Sequence, residues 1–261
     1  MRVYVSKITV YPVKAFDGVE LEAVPITSGG ALRYDREYAF VREDGKYMNA
    51  KRHANVHRVR SIFSPDMTEA TFSADGHTQT FHLEKETSAL TTWMSEVIGV
   101  PLSLRRNMVV GMPDDDQATG PTIVAESTYH EVARWFPGLT ADDMRGRFRA
   151  NIEIQGDDVP AFWEDHLYDE ESRLVPFRIG DILFHGMNPC RRCIVPTRDH
   201  RTGEEMGLTF KKHFSEQRQA LLPSFATAER FSDTYYRLTV NTIIPISEAG
   251  KILRLGDELI L

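Results

Sequence analysis

The sequence predicts an α+β fold, mostly antiparallel β, in which a β barrel with peripheral helices follows a smaller N-terminal β domain. Three observations carry that prediction. Short β-rich runs separated by turn signals fill residues 1–83, helices and strands then mix without a βαβ rhythm, and two late segments repeat one pattern. Those segments, Phe177 to Phe184 and Leu253 to Ile260, each read as strand, Gly-Asp turn, strand, which is the vocabulary of a barrel.

The elements follow in order. From Arg2 to Val13 apolar residues alternate as Val3, Val5, then Ile8, Val10, a strand with one buried face that ends near Pro12. Asp17-Gly18 marks a turn, Val19 to Ile26 a second strand, and Ser28-Gly29-Gly30 its close. Asp44-Gly45 joins Glu37 to Arg42 with Lys46 to Asn49, and Asp75-Gly76 joins Thr71 to Ser73 with Thr78 to Leu83, both as hairpins. Glu86 to Ile98 has helical spacing in Leu90, Trp93, Met94 and Val97, with Gly99 as its C-terminal cap. Pro101 to Leu104 returns to strand. The acidic stretch Met112 to Pro121 divides the chain into residues 1–110 and 111–261; its aspartates lack the alternation and distal Glu of a calcium loop, so it reads as a solvated loop.

Thr122 to Ala125 predicts a strand. Thr128-x-x-Glu131 has the pattern of a capping box and opens a helix that Pro137-Gly138 stops. Asn151 to Gln155 is a strand behind Arg149, and Phe162 to Tyr168 a core helical turn. Thr209 to Leu222 is a helix burying Phe210, Phe214 and Leu221, and Tyr235 to Ile246 alternates as a strand.

At 261 residues the chain can bury a substantial core. Its 41% hydrophobic content argues against disorder, and a net charge of −7 argues against a general nucleic-acid binder. No apolar run is long enough to span a bilayer, and the N-terminus lacks the regions of a signal peptide, so the expected location is cytoplasmic.

The only two cysteines stand in Cys190-Arg191-Arg192-Cys193. Four readings compete. A structural zinc site would need His185 and His200 to close the tetrahedron at unusual spacing. A thioredoxin-like pair needs a helix at the motif, which Pro196 interrupts. One cysteine can instead be a thiolate ligand to a soft metal, with two arginines beside it to bind an anionic cofactor. The fourth reading is a pair of buried, inert thiols.

The segment Cys190 to Gly203, Cys-Arg-Arg-Cys-Ile-Val-Pro-Thr-Arg-Asp-His-Arg-Thr-Gly, resembles the cysteine signature of MOSC-domain proteins, named after the C-terminal domain of molybdenum-cofactor sulfurases. Ile8 to Lys14 and Tyr34 to Val41 resemble the β domain that precedes MOSC in the amidoxime-reducing proteins and their bacterial relatives. Arg147 to Ile152 matches the family's Phe-Arg-Pro-Asn element with Ala150 in place of proline, and Ile179-Gly180-Asp181 and Leu255-Gly256-Asp257-Glu258-Leu259 complete the set in the family's order. Ala15 and Arg191 stand where relatives often have serine, and Gln217 to Tyr236 has no clear counterpart.

What the resemblance implies is a molybdenum-pterin cofactor (Moco) with Cys193 as metal ligand and catalytic residue. It implies cofactor contacts at Lys14, Arg36, Arg149, Asn151, Arg192 and Asn241. Asp199 matches the family's Asp, either relaying protons or capping the turn that follows. A single thiolate leaves positions open on the metal, and arginine grips phosphate oxygens bidentately, so these residue types suit that cofactor. The implied activity is two-electron N–O cleavage of N-hydroxylated compounds, amidoximes and hydroxylamines. With no four-cysteine set and no flavin fingerprint, electrons must come from a separate donor protein carrying flavin, haem or iron–sulfur. The alternative is a sulfur carrier bearing a persulfide on Cys193.

Overall fold

The computed structural model describes residues 2–261. Its first strand, β1 (Val3–Val10), buries Val3, Val5, Ile8 and Val10; the change of phase in the sequence is a register shift between Val5 and Lys7. The run Val19 to Ile26 is not one strand but two, β2 (Val19–Glu20) on β1 and β3 (Ala23–Pro25), which pairs elsewhere. Next comes β4 (Tyr38–Arg42). Asp44-Gly45 turns the chain after it, but Lys46 to Asn49 forms only an isolated bridge, Val41 to Tyr47, because β4 pairs its full length with a later strand. β5 (Arg60–Phe63), which the sequence does not announce, joins the predicted hairpin β6 (Glu69–Ala74) and β7 (His77–His82). Asp75 and Gly76 both have positive φ, 49° and 83°, as the two-residue turn requires. α1 (Thr87–Ile98) ends on left-handed Gly99, and β8 (Leu102–Arg106) pairs with β4.

The second half contributes β9 (Ile123–Ala125), α2 (Glu126–Arg134), α3 (Ala141–Phe148), β10 (Ile152–Gln155), β11 (Val175–Ile179) and β12 (Ile182–Arg191). After it come α4 (Gly207–Ala220), β13 (Arg237–Ile243), β14 (Ile252–Arg254) and β15 (Glu258–Ile260). The barrel runs β10-β9-β13-β12-β11-β15-β1, and the pairing of β1 with β10 closes it as seven strands. The first strand of the chain is therefore a stave of the barrel that the second half builds. Its interior is apolar, from Val5 and Ile8 to Ile154, Ile179 and Phe184. Full burial of such a side chain is worth about 1.5–3 kcal/mol, so the four inward residues of β1 are a large share of what holds the barrel shut.

Three further expectations are corrected. Thr128 does not cap α2, which starts at Glu126; its buried hydroxyl donates to Glu164 and accepts from the Phe162 amide. The capping box is at Thr140 and Asp143, opening α3. Leu221 is exposed, since the buried position on the last turn of α4 belongs to Arg218. Residues 253–260 do turn at Gly256, φ 83°, but the flanking strands part: β14 joins β3, while β15 joins β1 and β11.

Candidate functional site

A cavity of about 440 Å³ lies where loops of the N-terminal half meet the end of the barrel that carries the cysteines. Cys193, Lys14, Arg36, Arg149, Asn151, Arg192 and Asn241 all line it. Asp199 does not. Its Oδ1 accepts the amides of Arg201 and Thr202 at 2.9 and 2.8 Å, so it caps the turn that Gly203, φ 77°, completes.

Local backbone geometry explains how the basic residues reach one place. Ala15, Arg36 and Arg149 are all left-handed, at φ 78°, 51° and 55°. Non-glycine residues rarely adopt that region, and such positions cluster where side chains must be aimed rather than packed. Arg149 reaches it as the C-cap of α3, and its guanidinium then lies 4.0 Å from the centre of the Tyr11 ring and donates to the Phe16 carbonyl. Arg36 lies 5.5 Å from the same ring and pairs with Asp35. Burial pushes the Tyr11 phenol up to about 12, the two arginines pulling the other way.

Charge in the cavity is unevenly compensated. Ten lysines and arginines line it against four aspartates, in a chain whose net charge is −7. Lys14 is buried and satisfied: Nζ is 2.8 Å from Asp114 and 2.7 Å from the Met112 carbonyl. The acidic stretch thus forms part of the wall. Burial lowers the Lys14 ammonium below its usual range, with Asp114 opposing. Arg149 and Arg192, by contrast, have no carboxylate at ion-pair distance among the described residues. Burial lowers Arg149, and Arg192 keeps its Nε buried without a protein partner. Two desolvated cations facing one cavity are costly unless an anion joins them.

The thiols sit beside Arg192. Both are free and half-buried, and Nη1 of Arg192 donates to Cys190 Sγ at 3.3 Å while Nη2 reaches the Phe148 carbonyl at 2.6 Å. Burial disfavours the Arg192 charge, but Cys190 and Cys193 together raise it. Cys190 is therefore held by the arginine rather than merely packed. A soft donor and uncompensated guanidiniums on one wall fit a group that is both anionic and metal-bearing.

Asn151 and Asn241 serve the frame. The Asn151 amide accepts from Thr122 N at 3.2 Å and donates to the Thr9 carbonyl at 3.1 Å, stitching β1 to the barrel; Asn241 donates to Asn188 at 3.0 Å across β12 and β13. Sequence reasoning missed Arg147, whose guanidinium donates to the carbonyls of Pro196 and Arg198 and so fixes the segment after Cys193. It also missed His57 on the cavity wall, and weighed His200 there only as a zinc ligand. The Thr140-x-x-Asp143 spacing was the available signal for α3, which carries Arg147.

Family models match nearly the whole chain. The model of the MOSC N-terminal beta barrel domain matches residues 2–139, and that of the MOSC domain residues 121–259. Molybdenum cofactor sulfurase of Drosophila erecta is 26% identical over 235 residues, covering 78% of this chain and 29% of that protein. The Oryza sativa subsp. japonica protein of that name is 24% identical over 240 residues, covering 73% and 28%. The chain thus spans under a third of the length of these relatives. The solved YUAD protein from Bacillus subtilis aligns over 99% of this chain and 94% of its own, at 11% identity and TM-score 0.40. No helix among the described residues is long and apolar enough to cross a membrane. With both profiles spanning the barrel, its N-terminal partner layer and the cysteine segment between them, the chain belongs to the MOSC-domain family, N-terminal β-barrel domain included.

Proposed function

We propose that this protein is a molybdenum-cofactor-dependent oxidoreductase that reduces small N-hydroxylated compounds, amidoximes and hydroxylamines, by two-electron N–O cleavage. The observation that carries the reading is the pair of half-buried guanidiniums without a carboxylate partner, Arg149 and Arg192, on the cavity wall that also bears the free thiol of Cys193. Cys193 would ligate the metal, and Arg149, Arg192, Lys14 and Arg36 would hold the phosphate end of the pterin. When bound, the cofactor supplies a metal that exchanges two electrons and accepts an oxygen ligand. The protein's own part is to neutralise the phosphate, exclude bulk water and place the substrate. The two cysteines both belong to this wall, so the electrons come from outside these 261 residues.

The test is elemental. Protein made in a host that synthesises the cofactor should purify with near-stoichiometric molybdenum and pterin, and Cys193→Ser should lose the metal and all amidoxime reduction. The sulfurase relatives, 24–26% identical, favour a second reading in which Cys193 carries a persulfide for metal–sulfur cofactor assembly. Metal-free protein with cyanide-labile sulfur on Cys193 would decide for that reading.

A further inference from the structure

Breaking an N–O bond reductively consumes two protons, and Asp199 is committed to capping a turn. Beside that turn the cavity wall carries two imidazoles, one from each half of the chain. His57 stands in the short helical turn Ala54–Arg58, and His200 follows Asp199. Nε2 of His57 and Nδ1 of His200 are buried and have no protein hydrogen-bond partner. A buried polar atom without a protein partner is one that a bound group or an ordered water can satisfy.

Two glycines make room for the pair. A Cβ on Gly146, in the second half of α3, would come within 2.3 Å of His200 Cδ2 and 2.4 Å of its Cγ, so only glycine there lets the imidazole lie against the helix. A Cβ on Gly203 would come within 2.9 Å of the Ala54 carbonyl oxygen and 3.4 Å of His57 Cβ and Cδ2. Each ring is thus fixed by a close backbone approach from a different element. Around His200 stand Asp143 and Arg147 of α3 and Asp199 and Arg201 of its own turn, and ligand atoms of Asp143, Asp199 and His200 all lie within 4.8 Å of one another. Around His57 stand Arg198, Arg149 and Asp199, with the backbone of His200 against its ring. Burial outweighs these carboxylates and lowers both rings, so each imidazolium gives up its proton readily.

We propose that His57 and His200 deliver the protons for N–O cleavage, a role that rests on the reductase reading above. The bookkeeping closes: the N–OH compound takes two electrons, originating in the external donor, and two protons, one from each imidazolium. The N–O bond breaks, an N–H bond forms, the oxygen leaves as water, and both imidazoles reprotonate from solvent. Asp143 and Asp199 are positioning residues for His200.

The experiment uses the molybdenum-loaded protein, a dithionite-reduced viologen as donor and an amidoxime as substrate. His57→Gln and His200→Gln should each lower kcat by about 10²-fold or more, with KM within about twofold and the molybdenum content unchanged. In the wild type kcat should fall as pH rises through an ionisation below the usual imidazole value of about 6.5, because burial disfavours both charged rings, and that ionisation should be lost in the double variant. In cofactor-free protein, imidazole NMR should show each ring's titration moving when the other is replaced. A wild-type profile flat between about pH 5 and 8, a double variant of full activity, or variants that lose their metal would overturn the pair's role. Metal-loaded wild type without any amidoxime reduction would sink the reductase reading first, and the proton role with it.

Discussion

Two regions of this molecule take an arginine out of solvent, one wholly and one in part, and they do so under opposite rules. Arg218, on α4, is 1% exposed; it pairs with buried Asp165 and lies 4.1 and 4.9 Å from the ring centres of Phe162 and Phe231. Arg149, at the end of α3, is gripped by the Tyr11 ring and one carbonyl and has no carboxylate partner. In the first arrangement the charge is cancelled within the protein by Asp165, although Nε and Nη1 have no hydrogen-bond partner there. The second is open toward a cavity. A buried guanidinium is thus a packing element where its counterion is built in, and a binding element where the counterion must arrive from outside.

The sharpest way to break that contrast is to remove the built-in counterion. Asp165→Ala strands Arg218 and should cost about 3–5 kcal/mol in denaturant unfolding. Arg149→Gln and Arg192→Gln should change stability by less than about 1 kcal/mol, since no paired charge is left behind, while lowering retained molybdenum at least about tenfold by elemental analysis. If these variants unfold as readily as Asp165→Ala, the distinction fails. Glu164 sharpens it on the acidic side. Burial, helped by neighbouring Asp165, raises its carboxyl from 4.5 to about 8. Its folded pKa lies above the unfolded one, so the stability it contributes is full below about pH 4.5 and is lost as pH rises toward about 8. Glu164→Gln should flatten the melting temperature over that window.

Lys14 stands between the two cases, its counterion Asp114 being supplied by a surface loop. Asp114→Asn should cost only about 1 kcal/mol, and inorganic pyrophosphate should stabilise the variant more than the wild type in a thermal-shift assay. We propose that the same loop divides the chain near residues 110 and 111. Proteolytic nicking there should leave two pieces that co-elute in size exclusion, held by β1.

Much of this was legible in the sequence. Period-two alternation found β1 and β13, the Asp75-Gly76 hairpin was read from its turn, and the joint resemblance gathered Lys14, Arg36, Arg149, Asn151, Arg192, Cys193 and Asn241 onto one wall. What escaped depends on partners distant in the chain. Leu221 and Arg218 occupy the same turn of α4, and only Asp165, 53 residues away, explains why the arginine goes inward. The parting of β14 from β15 is set by β3 and β1, far upstream. His57, and His200 beyond its reading as a zinc ligand, gain meaning only from their place on the cavity wall beside Gly203 and Gly146.

The pairing of residues 3 and 4 with residues 259 and 258 also fixes a timetable. Until the last strand docks, the first is flanked by β10 and β2 alone and the ring stays ajar. Closing it joins residues 3 and 259, nearly the widest separation the sequence offers, so by contact order it should be the slowest step of folding.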